Sequence, residues 1–212
     1  MNNFVGVKKP MSITLSSRRT FLQATVSGGA VLPLLTSLGM ATNAVAGGLV
    51  EAESSLCLFE ADAAMGADMA AGVRQIGLAY QTVTLDDAAG WSAMLDALTS
   101  ARGRSLAVLG RSATVFAVRS MLEPAWRVVL EGRHSRQADG MRHELSGLDA
   151  PMNQLSGWLN RVRDPAQYAV VLASMPRGEF SANAERKTLD LNSHAWPGSD
   201  LVSLLAWPKG VV

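Results

Sequence analysis

The stretch Gly110-Arg111-Ser112-Ala113-Thr114 is the part of the chain best suited to hold an anion, because a glycine turn there runs into a helical pattern. Helix starts expose unpaired backbone N–H groups, and a guanidinium with two hydroxyls adds further donors. Gly110, Arg111, Ser112 and Thr114 are therefore the candidate ligand-binding residues. The stretch lacks the glycines of a dinucleotide fingerprint and the Gly-Lys-Ser/Thr ending of a phosphate loop. Thr114 also stands where a nucleophile elbow needs glycine. A second set, Glu60, Asp62, Glu131 and His134, carries the side-chain types that general acid–base hydrolysis uses, and these are the candidate catalytic residues. His134 and His143, close in sequence to Glu131 and Glu144, are the candidate metal ligands, although no fixed-spacing zinc motif joins them. Each set has a plainer alternative: a hydroxyl that caps a helix, or a charged hairpin face bathed in water.

Cysteine chemistry is narrow. Cys57 is the single cysteine of 212 residues, which excludes an internal disulfide and an iron–sulfur cluster held by this chain alone. No Cys-x-x-Cys-His motif is present, so covalent c-type haem is excluded as well. Cys57 sits in the apolar run Ser55 to Phe59 and reads as a small buried hydrophobe. The cofactor, if there is one, is not given by the sequence.

The elements that must position these residues alternate. Short apolar runs at 56–60, 79–85, 105–109 and 126–131 read as strands, and helical patterns at 62–76, 86–101 and 113–122 separate them. A helix follows at 151–163, a fifth strand at 168–174, and a last apolar segment at 201–207 reads as an edge strand. Two polar insertions interrupt the series. The first, 132–148, has a turn signal at Asp139-Gly140 and is either a hairpin arm or an irregular loop; the second spans 175–199. The pattern predicts a single three-layer α/β domain over 55–212, with a mostly parallel sheet of about five or six strands and polar loop or hairpin insertions. In such a sheet the ligand crevice lies beyond the strands' carboxyl ends, where both candidate sets would arrive.

The N-terminus gives an address. Ser17-Arg18-Arg19-Thr20-Phe21-Leu22-Gln23 precedes an apolar run diluted by glycine, serine and proline, and the run ends in Ala44-Val45-Ala46. This order resembles the bacterial twin-arginine export signals, with Arg18, Arg19, Phe21 and Leu22 on the family's pattern and Gln23 where it usually has lysine. The resemblance covers residues 1–46 and implies folding before export by the twin-arginine translocase. It also implies cleavage after Ala46, with Ala44 and Ala46 as the small residues the peptidase accepts, a linker over 47–54, and a periplasmic mature chain. Met1 to Pro10 adds nothing the signal needs, so Met11 serves equally well as a start. The diluted run is a poor membrane span, so no stable anchor is expected.

Removing the signal changes the charge. It holds Lys8, Lys9, Arg18 and Arg19 and no acid, so 15 of the 19 basic residues and all 18 acidic ones remain. A mature chain slightly acidic overall, with signs interspersed, carries no footprint for nucleic acid. Two functional expectations follow. The first is an exported protein that binds a small anionic ligand, or that serves as an accessory subunit of an exported redox enzyme. The alternative is a periplasmic hydrolase, metal-dependent or not, which requires Glu60, Asp62, Glu131 and His134 to converge.

Overall fold

The computed structural model describes residues 55–61, 65–122, 126–175, 177–178, 184–194, 196 and 200–209. The export signal with Arg18, Arg19, Phe21, Leu22, Ala44 and Ala46, the linker, and Asp62 all lie outside the described residues. Among those described, the elements in order are β1 (Ser55–Glu60), α1 (Met65–Gln75), β2 (Ala79–Val83), α2 (Ala88–Ser100), β3 (Ser105–Gly110), α3 (Ser112–Leu122), β4 (Trp126–Gln137), β5 (Gly140–Leu148), α4 (Asp149–Leu159), α5 (Pro165–Ala173), β6 (Arg186–Ser193) and β7 (Leu201–Pro208).

Seven strands form one sheet in the order β2-β1-β3-β7-β4-β5-β6. β1 and β3 are buried at every position, as strands covered on both faces must be. Cys57, Phe59, Ala107 and Leu109 face a core built with α1, α4 and α5. Leu56, Leu58, Leu106 and Val108 face a second core built with α2 and α3. The fold is therefore mixed α/β with helices on both faces.

The sheet is not mostly parallel, and it has more strands than the alternation suggests. β1 pairs in parallel with β2 and β3, whereas β7 is antiparallel to both β3 and β4, and β4-β5-β6 continue antiparallel. Three corrections produce this. The segment 201–207, expected at an edge, is β7 in the middle of the sheet; Leu205 serves one core and Leu204 the other, which a run apolar on both faces, broken within 201–207 by Ser203 alone, permits. The segment 168–174, expected as a strand, is the buried helix α5. Asp164 caps it by accepting from Gln167 N at 2.7 Å, Pro165 opens it, and Tyr168 through Ala173 are buried all round, so no amphipathic period shows. The polar segment expected over 175–199 contains β6, whose exposed outer positions hide its strand pattern.

The insertion at 132–148 is a hairpin, β4 with β5, in which Gln137 pairs with Gly140. One irregularity in β4 matters for the site. Val128 pairs with Ala206 and Leu130 with Leu205, so Val129 is an extra residue bulged from the ladder. Beyond the bulge the alternation is inverted: Leu130 and His134 are buried, while Glu131 is half-buried and Arg133 exposed.

Candidate functional site

The end of β1 and the turn between β3 and α3 meet where a parallel sheet would place them. Glu60 there is 6% exposed. Its carboxylate accepts from Arg111 N and Arg111 Nε, each at 2.5 Å, and the terminal guanidinium nitrogen of Arg111 closes an ion pair with it. Burial pushes the Glu60 carboxyl up, but the hydrogen bonds from Arg111 and from the Thr114 side chain outweigh it and hold the acid below its usual range. Gly110 is required for this approach, since a Cβ there would lie 2.9 Å from both Glu60 Cβ and Glu60 Oε2. The structure thus brings Glu60, Gly110, Arg111 and Thr114 together, and the carboxylate that meets the helix start and the guanidinium is the chain's own.

The other candidate catalytic residues stand elsewhere. Glu131, on β4, is three strands from β1 in the sheet order, roughly 14 Å at the usual strand spacing. It is shared between two guanidinium groups, Arg119 at 2.6 Å and Arg186 at 2.9 Å. Ser112 lines an open groove of about 890 Å³ with Glu131, Arg133, Arg142, Glu144 and Asp190, on the sheet face opposite α4 and α5. Within it Arg142 holds Glu144 and Asp190 at 3.1 and 2.6 Å.

His134 and His143 do meet, and they lie within a buried polar chain that the sequence reading did not assemble. Opposed in the hairpin register, their Nδ1 atoms are 2.7 Å apart. His134 Nε2 is 3.0 Å from Ser203 Oγ on β7, which is 2.8 Å from the Tyr168 hydroxyl on α5. His143 Nε2 is 2.6 Å from Ser193 Oγ on β6, whose hydroxyl donates to the His194 carbonyl at 3.2 Å. Trp196 lies against His134, His143 and Tyr168, with ring centroids 5.4, 5.0 and 5.2 Å away. Burial, and after it the neighbouring His143, lowers the His134 pKa well below the ordinary imidazole value; burial lowers that of His143 to about 4. Burial likewise raises the Tyr168 pKa, against the lowering effect of its bond to Ser203.

The ring separation is that of a hydrogen bond. Two nitrogens on one tetrahedral zinc, each about 2.1 Å from it, stand roughly 3.4 Å apart. Among the described residues no group of three or more His, Cys, Asp or Glu gathers to hold a metal ion. Cys57 is fully buried and its thiol is pushed up to about 12, with Arg104 pulling weakly the other way.

The outer surface of the α2–α3 layer has its own character. Trp91 (37% exposed), Leu95 (50%) and Phe116 (72%) are the exposed large hydrophobics among the described residues, and all three lie on these two helices. Asp96 is the sole charged residue within the thirteen of α2. No helix among the described residues is long and apolar enough to cross a membrane. Comparison of the chain with protein-family models, curated proteins and solved structures gives no match.

Proposed function

We propose that the protein is an exported, non-catalytic accessory protein that docks a partner protein, such as an exported redox enzyme, on the outer face of α2 and α3. One observation carries the reading: Trp91, Leu95 and Phe116 expose large apolar side chains on a single helical layer. Protein interfaces are built at their centres from aromatic and aliphatic anchors with charged residues depleted, and α2, with one charge, has that composition. The occupant is accordingly a protein with an apolar surface, not a charged small molecule. The arrangement of the acid–base candidates supports the same reading. Glu60 and Glu131 are held by arginines three strands apart, and His134 is enclosed in the core. Binding of a small anion at Gly110 to Thr114 would have to displace the Glu60 carboxylate.

The test is site-specific photo-cross-linking from position 116 in the exporting bacterium, with the Leu95→Lys variant as comparison. A discrete cross-linked partner that Leu95→Lys abolishes, with the melting temperature unchanged, is the expected result. No adduct, an adduct joining two copies of this chain, or an adduct indifferent to Leu95→Lys overturns the reading.

A further inference from the structure

The hydrogen bonds around His134 and His143 limit how many protons the pair can hold, whatever partner the protein docks. With both rings neutral, one Nδ1 must donate and the other accept, so the two rings are opposite tautomers. In one arrangement Ser203 donates to His134 Nε2, His134 donates Nδ1–H to His143, and His143 donates Nε2–H to Ser193, whose hydroxyl ends on the His194 carbonyl. In the reverse arrangement Ser193 donates to His143 Nε2, His143 donates Nδ1–H to His134, and His134 donates Nε2–H to Ser203, whose hydroxyl ends on the Gly132 carbonyl at 3.4 Å. The Tyr168 hydroxyl donates to Ser203 in either. Adding one proton unites the two halves. Both Nε2–H groups then donate to serines, both serines donate outward to carbonyls, and one proton lies between the two Nδ1 atoms. A second proton would set N–H against N–H across 2.7 Å.

We propose that His134 and His143 form a buried binding site for a single proton, shared between their Nδ1 atoms and exchanged with solvent through the Ser193 hydroxyl. In the uptake step a hydronium ion gives its proton to Ser193 Oγ while Ser193 passes its own to His143 Nε2. His143 then shares its Nδ1 proton with His134, and the hydronium leaves as water, so the pair gains one proton and one positive charge. The groups facing the pair are Tyr168 from α5, Ser203 from β7, Ser193 from β6, the Gly132 carbonyl from β4, and Trp196. His194 follows Ser193 at the surface, and Asp200, before β7, accepts from Arg136 N. Arg142, Glu144 and Asp190 belong to the groove on the opposite sheet face. No charge of this chain among the described residues therefore balances the proton; the π faces of Trp196 and Tyr168, within 6 Å of the rings, offer it partial compensation.

Nitrogen-15 NMR of histidine-labelled full-length chain tests this at neutral pH and on acidification, alongside Ser193→Val, whose methyls keep water out of the hydroxyl's place, and Ser193→Thr, which retains the hydroxyl. Expected at neutral pH are complementary tautomers with a coupling between the two Nδ1 nuclei, and exchange of the shared proton with water slowed at least tenfold in Ser193→Val and restored in Ser193→Thr. On acidification of the folded chain both rings should move with one midpoint and take up one proton together. Two Nε2–H tautomers, exchange indifferent to Ser193→Val, or uptake of two protons by the folded chain overturns the proposal. If acid unfolds the chain first, the tautomers and the exchange ratio at neutral pH decide it.

Discussion

Burying two neutral imidazoles makes the fold acid-sensitive in a definable window. Unfolded histidine binds a proton below about pH 6.5, whereas His143 in the fold does not until about pH 4 and His134 is held lower than its ordinary value as well. Between those limits the unfolded chain carries more protons than the folded one, so stability falls as pH falls. The displacement of His143 alone is worth about 3 kcal/mol at about 1.4 kcal/mol per unit, and His134 adds a contribution of the same sign. With both rings unprotonated in the fold, the slope is about 3 kcal/mol per pH unit near pH 5. Set against a total of roughly 5–15 kcal/mol for a domain, this is enough to unfold the chain in mild acid. Urea unfolding followed by tryptophan fluorescence at pH 7, 6 and 5 measures it, with the His134→Gln/His143→Gln double variant as comparison. The wild-type curve should steepen below pH 6.5 and the variant's should lack that component. If the double variant does not fold, proton uptake on unfolding the wild type at pH 5.5, from calorimetry in two buffers, serves instead and should include about two protons from the pair. A wild-type stability flat between pH 6.5 and 4.5 refutes the reasoning.

Further expectations are local. Gly132→Ala places a Cβ 2.7 Å from Ser203 Oγ and 2.8 Å from His134 Nε2, two atoms held by each other, and should cost about 1–3 kcal/mol in urea unfolding. Glu60→Gln removes the charge that three Arg111 nitrogens converge on and should cost about 1–3 kcal/mol. Because the folded Glu60 pKa is lowered, its contribution is present above the ordinary carboxylate value and lost as pH falls below it, and Glu60→Gln should remove that acid-side component from the stability curve. Cys57 should resist a thiol reagent at pH 8 in the native chain and react fully in urea, since burial withholds both access and the thiolate. Rapid native labelling would contradict that.

The first half of the chain was legible because its strands and helices obey different periods. β1, α1, β2, α2, β3 and α3 alternate in the sequence as they do in space, and Asp87 caps α2 by accepting from Gly90 N, as its position suggests. Gly77, with a positive φ of 74°, ends α1 in the left-handed conformation that glycine adopts without strain. The second half resisted for physical reasons. α5 is buried on all sides and so carries no polar stripe, and β6 is a mostly exposed strand that looks like a loop by composition. β7 returns to the sheet's centre after a long polar stretch, a non-local choice that no window of residues records.

The buried histidine pair shows how a small irregularity can hide a site. A turn at Asp139-Gly140 marks the hairpin, but the loop that closes it is Ala138-Asp139, and only that register sets His134 opposite His143. Had the register slipped by one residue on a strand, the facing side chains would have changed sides of the sheet. The bulge at Val129 is the second hidden determinant. Had the ladder run regularly through Val129, the same β4 sequence would turn Glu131 and Arg133 toward α5 and Trp196, and His134 toward the groove on the opposite face. An arginine under Trp196 would keep its charge in the core, whereas an imidazole can lose its proton and still be satisfied on both nitrogens by His143 and Ser203. The bulge therefore selects, from a stretch that is polar throughout, the one side chain whose burial the core can accommodate, and so turns residues that read as a charged hairpin face into a five-membered hydrogen-bonded chain from Tyr168 to Ser193.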